Sequence, residues 1–260
     1  AERTTANIIY FSRNSDNIYV RRHLGKGEKG VFVKNKQVVV AEGQKVIKLA
    51  NLKDIALTKG GMVSYNIENA LAATSAALAL GFKLDIISRA LKEFGGQANH
   101  NPGRLEIYKT NDITVVVDYG HNPAGYEEVF KWLKSLKCSK IHGVIGVPGD
   151  RLDETIRKAG SIAAKYCHHL YIKEDEVSRG REVGEVASLL LQGAMRENKE
   201  ALEYVIEYNE IKALKIALEN CKPGDLVVIF YEKLKPVLKY LEEWSKNTNA
   251  ESTNQVAVAE

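Results

Sequence analysis

From residue 105 onward, short apolar runs recur at regular intervals, and a helical stretch follows nearly every one. The runs are "LEIYKT", "ITVVVD", "IHGVIGV", "HLYIK", "EYVI" and "LVVIF". A strand with one face in water carries a polar residue at every second position, and runs such as "ITVVVD" and "LVVIF" do not, so both of their faces must be covered. Strand–helix alternation of this kind predicts an α/β fold with a Rossmann-like, mainly parallel sheet and helices on both sides. The helices are expected near 123–137, 151–166, 181–195, 208–220 and 232–245. Such sheets bind ligands in the crevice beyond the carboxyl ends of their strands, so the loops at those ends are the place to look for chemistry.

The first hundred residues follow a different pattern. "ANIIYFS", "NIYVRRH", "GVFVKN", "QVVVAEG" and "QKVIKLA" are short β-type segments separated by Asn, Gly and Lys-rich turns, which predicts β-hairpins, with "KNKQ" as a tight turn. The period then changes. "NIENALAATSAALALG" predicts a helix stopping at Gly81, and "KLDIISRALKEFGG" a second, with Leu84, Ile87, Leu91 and Phe94 on one face. The organisation expected is a partial domain over 1–102, an α/β domain over 103–247, and a polar, disordered tail over 248–260.

Composition removes several classes of function. A net charge of +4 over 260 residues is too small to imply nucleic acid, although residues 1–49 hold ten Lys/Arg against four Asp/Glu. That basic flank suits an anionic polymer, or equally a solvated β-surface with lysines guarding its edges. No apolar run approaches the roughly 20 residues that span a bilayer, and the first residues do not read as a signal peptide. Cys138, Cys167 and Cys221 stand far apart without a CxxC pair, which fits a reducing, cytoplasmic compartment and argues against a thiolate metal site.

Two phosphate motifs can be set aside. Gly25–Gly30 spells GxGxxG, but a strand follows it where the fingerprint needs a helix, so it is expected to be a hairpin loop. GxxxxGK[ST] does not occur in the sequence.

The strongest candidate is "VVVDYGHNPAGYEEV". Asp118, His121 and Asn122 stand where a strand yields to a helix, at the ligand-binding edge. Asp118 suits ribose hydroxyls, and His121 or Asn122 an adjacent ring or phosphate. The alternative is structural: Asp118 a turn residue and Asn122 the cap before Pro123. Arg104 in "NPGRLE" would open the same domain with a guanidinium suited to phosphate. "GVPGDRLDE" places Gly149, Asp150 and Arg151 after the third strand. "IKEDEVSRGREVGE" places Glu174 and Asp175 near Arg179 and Arg181 after the fourth. Arginines and acids in one loop suit the two ends of an amino acid, or simply pair with each other in solvent.

These strings resemble a known family. "DYGHNPAGYEEV" is similar to the DYAHNP motif of the Mur ligases, the ATP-dependent amide ligases that include folylpolyglutamate synthetases. "NPGRLE" resembles their PGRxE segment and "NIENALAA" their NxxNALAA helix. "GVPGDRLDE" and "IKEDEVSRGREVGEVA" are similar to strings of the cyanophycin-synthetase branch, GGPGDRRDE and IKEDxxxRGRExGEAA, and the resemblance covers nearly all of residues 6–245. Gly120 stands where the family usually has alanine.

The resemblance implies a Mur-ligase C-terminal domain preceded by the end of the central domain. It implies that Asn69 approaches adenine, that Arg104 and Asp118 contact phosphate and ribose, and that His121 and Asn122 line the same pocket. Gly149, Asp150, Arg151, Glu174, Asp175, Arg179 and Arg181 would lie towards the incoming amino acid. ATP and Mg2+ are the implied cofactors, with the magnesium ligands and phosphate loop upstream in a missing N-terminal part. The implied reaction joins arginine to the aspartate β-carboxylate of a poly-aspartate (cyanophycin) chain through an acyl phosphate. Homo-oligomerisation is also implied, and this chain alone would be inactive. Rival readings are another Mur-family ligase, of peptidoglycan or folylpolyglutamate type, and a non-catalytic module that binds polymer or nucleotide.

Overall fold

The computed structural model describes residues 4–95, 101–110, 112–197 and 201–257, with side-chain surroundings as far as residue 246. The chain divides into two compact units between Asn101 and Pro102.

The first unit holds a four-stranded sheet, β1 (Tyr10–Ser12), β2 (Lys29–Lys34), β3 (Gln37–Glu42) and β4 (Lys45–Asn51), paired in that order. From β2 to β4 it is the expected antiparallel meander. The two-residue turn at Asn35 and Lys36 has φ of 52° and 58°, the double positive φ of a type I′ hairpin. The start departs from expectation, because β1 and β2 are parallel. "NIYVRRH", expected as a β-segment of a hairpin, is instead helix α1 (Ile18–Leu24), which carries the chain across.

Physical reasons for that helix are local. The Asn17 side chain accepts the N–H groups of Tyr19 and Val20 at 3.0 and 3.3 Å, capping the first turn. Arg21, Arg22 and His23 sit in the last turn, where the helix dipole favours cations. Val20 and Leu24, one turn apart, bury against Phe32, Val39 and Ala41, worth about 1.5–3 kcal/mol each. The Gly25–Gly30 segment therefore joins a helix to a strand. It is neither the expected hairpin loop nor a strand-to-helix phosphate loop.

Helices α2 (Ser64–Ala79) and α3 (Leu84–Glu93) belong with the opposite sheet face, where Ile67, Leu71 and Ile87 join Val31, Val38, Val40 and Leu49 in one core. α2 stops as expected: Gly81 adopts φ 82°, and Phe82 N–H donates back to Ala77 O.

The second unit is a six-stranded sheet in the order β5 (Glu106–Thr110), β6 (Ile113–Asp118), β10 (Leu226–Phe230), β7 (Ile141–Ile145), β8 (His169–Ile172) and β9 (Glu203–Ile206). β6 to β9 are parallel to one another, while β5 runs antiparallel to β6. The helices are α4 (Pro123–Ser135), α5 (Asp153–Tyr166), α6 (Glu185–Met195), α7 (Glu210–Glu219) and α8 (Leu234–Ala257). Val115, Val117, Val227 and Ile229 share a core with Ala213, Leu214, Ala217, Val237 and Leu241 from α7 and α8. Val116 and Val228 are equally buried, so these strands are covered on both faces. β9, at the sheet edge, leaves all four of its residues exposed. α8 runs to Ala257, and no glycine or proline follows Pro236 within it. Among the described residues no helix is long and apolar enough to cross a membrane.

Candidate functional site

Strand β6 pairs with β10 so that Asp118 stands opposite Phe230. The residues that follow, Tyr119 to His121 and Tyr231, therefore leave the sheet side by side. Asp118 is 2% exposed. Its Oδ2 accepts the Leu105 N–H at 3.0 Å and its Oδ1 the Gly120 N–H at 2.7 Å. Burial pushes its carboxyl up to about 6, against the pull of those two N–H groups and of Arg104 and His121. Asp118 is thus a buried clamp at the mouth of the strand, and it does not present free oxygens to ribose as the sequence suggested. It holds Leu105 at φ 48°, a conformation that a branched residue adopts only under constraint.

Arg104, next to that clamp, is exposed, and its guanidinium carbon lies 4.8 Å from the centre of the Tyr119 ring. Tyr119 packs in turn on His121 at 5.0 Å and on Tyr231 at 5.4 Å. The His121 Nδ1 is 3.1 Å from the Tyr119 carbonyl. Asn122 caps α4, its Oδ1 accepting the Gly125 N–H at 2.8 Å, with Pro123 in the first turn. A cation, three rings and a helix start therefore meet around one buried carboxylate. Asn69 belongs to the first unit, on α2, where it lines a largely apolar cavity of about 480 Å3 with Ala73, Phe82 and Phe94.

The loops after β7 and β8 are tied together by Arg181. Its Nε donates to Gly149 O at 2.7 Å, one terminal nitrogen to Arg151 O at 2.8 Å and Asp153 at 2.7 Å, and the other to Glu185. Four of its five N–H donors are engaged inside the chain, so Arg181 braces these loops. Gly149 lies so close to the other loop that a Cβ would sit 2.2 Å from Ser178 O. Glu174 is also engaged: its two oxygens accept the N–H groups of Gly184 and Ala187 at 2.8 Å each, capping α6 from outside. It too braces a loop. Arg179 is different, exposed and paired with Asp150 at 3.1 Å in solvent. Arg151 lies 3.9 Å from the other oxygen of Asp150.

Sequence reasoning missed the centre of this region. Lys173, 1% exposed, bonds Asp175 at 3.0 Å and Glu210 at 2.9 Å. Glu210 also accepts the N–H groups of Glu232 and Lys233 after β10. The Lys173 stem runs where Gly146 lacks a side chain; a Cβ there would meet Lys173 Cε at 2.6 Å. Around this ion cluster lies a cavity of about 260 Å3 lined by Glu174, Asp175, Glu176, Glu210, Glu232 and Lys233, among others. A lysine directly after the apolar run "HLYI" was the one available signal. Glu210 is too distant in sequence to have been linked to it.

Residues 103–230 match the family model described as Mur ligase, glutamate ligase domain. Residues 103–230 form a domain of the Mur ligase family. It is 36% identical over 234 residues to a cyanophycin synthetase of Crocosphaera subtropica, covering 90% of this chain and 27% of that protein. It is 35% identical over 244 residues to that of Geminocystis herdmanii, covering 94% and 28%. A UDP-N-acetylmuramoyl-L-alanyl-D-glutamate–2,6-diaminopimelate ligase of Aquifex aeolicus is 31% identical over 184 residues, covering 68% and 36%. The chain thus spans little more than a quarter of the length of the cyanophycin synthetases it matches.

Among solved structures it resembles a murein peptide ligase from Psychrobacter arcticus, with TM-score 0.56, 17% identity, and 90% and 46% of the two chains covered. It also resembles E. coli FolC in complex with DHPP and ADP, with TM-score 0.57, 17% identity, and 85% and 49% covered. At such identities the likeness concerns the Mur ligase fold alone. The Asp118 clamp and the bracing loops lie inside the segment that matches the Mur ligase model, whereas Asn69 lies outside it.

Proposed function

We propose that this chain supplies one wall of the nucleotide site, and the amino-acid site, of an ATP-dependent acid–amino-acid ligase. The observation that carries this reading is the convergence of Arg104, Tyr119, His121 and Tyr231 on the buried Asp118 at the carboxyl ends of β6 and β10. An exposed guanidinium beside aromatic faces suits a phosphate with a neighbouring ring. Arg104 takes phosphate, His121 and the α4 start flank the nucleotide, and Asp118 holds them in place. No residue of the chain is assigned to Mg2+.

In this reading ATP phosphorylates a carboxylate, and the amine of an amino acid attacks the acyl phosphate and expels phosphate. Cations and donors offset the negative charge that develops, while exclusion of water protects the intermediate. Arg179, whose pairing with Asp150 is exposed and readily exchanged, holds the amino-acid carboxylate. The acidic cavity, with Glu176 and Glu232 at the loops after β8 and β10, receives a cationic side chain. Similarity to cyanophycin synthetases supports arginine as that amino acid and a poly-aspartate chain as acceptor.

Calorimetric titration with ADP tests the nucleotide wall. Arg104→Ala is expected to weaken binding at least tenfold without changing thermal stability, and unchanged affinity would refute the assignment. Amide formation by a full-length enzyme, with arginine set against diaminopimelate and glutamate, tests the substrate. A preference for diaminopimelate would favour the peptidoglycan-type relatives.

A further inference from the structure

The opposite, amino end of the same sheet carries a second cluster that the ligase reading does not use. His142 is the second residue of β7, Asp225 directly precedes β10, and Cys221 follows α7 in the turn that leads to Asp225. One donor atom from each of these three residues lies within 4.8 Å of the other two. His142 is 1% exposed and Asp225 4%, while Cys221 is half-buried, leaving a way in from solvent.

The surroundings hold these donors in position. The Asp225 Oδ1 accepts the Lys140 N–H at 3.1 Å and its Oδ2 the Lys222 N–H at 2.9 Å, with His142 Nε2 3.3 Å from Oδ2. The other His142 ring nitrogen is 3.3 Å from Tyr171 Oη, which also accepts from Asn220 at 3.2 Å. His142 stacks on His169 at 4.5 Å. Two N–H donors are enough to fix Asp225 in its turn, so fixing the turn does not explain an oriented imidazole and a thiol beside the same carboxylate.

We propose that His142, Cys221 and Asp225 form a transition-metal site of the zinc class. A thiolate, an imidazole and a carboxylate make a mixed S, N, O set that suits Zn2+ and leaves a fourth position for water. Tyr171 and Asn220 orient the imidazole from the second layer, as hydrogen-bonded neighbours of ligating histidines do. On binding, the Cys221 thiol gives up its proton to solvent and its hydrogen bond to Ala217 O, which measures 3.1 Å, and the sulfur takes the metal as thiolate. In the sequence the wide spacing of the cysteines argues against such a site, because the donors that meet here come from segments about 80 residues apart.

Co2+ titration of the metal-free full chain at neutral pH tests the site. The expected result is a near-ultraviolet thiolate-to-cobalt absorption that saturates at one cobalt per chain and is displaced by Zn2+. It should disappear in Cys221→Ser and persist in Cys138→Ser and Cys167→Ser. His142→Gln should shift the visible bands and weaken binding at least tenfold. Absence of the absorption at excess Co2+, its survival in Cys221→Ser, or its loss with Cys138 or Cys167 would each overturn the proposal. Should Cys221→Ser fail to fold, the wild-type titration and the two other cysteine variants decide the matter.

Discussion

The N–H of Leu105 donates to the Asp118 carboxylate at 3.0 Å while Leu105 itself sits at φ 48°. One buried acid thus ties the entrance of the domain to the end of its second strand. Asp118→Asn keeps the shape but offers a single acceptor oxygen to two N–H groups. It is expected to cost about 1–3 kcal/mol in urea unfolding and to weaken nucleotide binding together with it.

The same residue sets a pH dependence. Its folded carboxyl is raised to about 6, above the ordinary 3.8, so between those values the folded state binds more protons than the unfolded one. Stability from this group therefore falls as pH rises through that window, by up to about 3 kcal/mol in total. Unfolding free energies at pH 4.5 and 6.5 should show this decline in the wild type, and a smaller one in Asp118→Asn.

Lys173 sits between Asp175 and Glu210 with almost no solvent. Lys173→Met leaves two carboxylates uncompensated and is expected to destabilise by about 3–5 kcal/mol. Adding Glu210→Gln should recover part of that loss. A double-mutant cycle by denaturation measures the coupling, and strict additivity would mean that the pair does not interact.

Arg179 and Arg181 should separate cleanly. Arg181→Ala removes bonds to Gly149, Arg151, Asp153 and Glu185, so the melting temperature should drop. Arg179→Ala should leave melting unchanged and, in a full-length enzyme, raise the Michaelis constant for the amino acid at least tenfold.

Helix α1 offers a test of its own. Asn17→Ala removes a cap and should cost about 1 kcal/mol, and Leu24→Ala about 2–5 kcal/mol. Arg22, which would share a strand face with Val20 and Leu24, is exposed on the helix, so Arg22→Ala should be close to neutral.

The second unit was legible because its central strands, buried on both faces, leave unalternated runs, and each of its six strands lies within the run that announced it. The first unit was less so. "NIYVRRH" is rich in residues that favour strands, and only Asn17 at its head and the four-residue spacing of Val20 and Leu24 pointed to a helix. At the site, the strand-to-helix junction of Asp118 could be located, but what each side chain binds could not. Glu174 and Arg181 read either as contacts for an amino acid or as charges paired with each other in solvent, and neither reading foresees the backbone partners onto which the loops fold them. Lys173 needed Glu210, whose approach depends on how β8 and α7 stack.

The reversed first strand has a mechanical consequence. In a wholly parallel sheet the chain would enter far from the strand ends that hold ligands. Because β5 runs the other way, the polypeptide arrives directly at Arg104 and Leu105. A pull on the peptide ahead of Pro102 reaches this guanidinium and the clamped amide before any other part of the domain, which makes the doorway itself a lever on the Asp118 clamp.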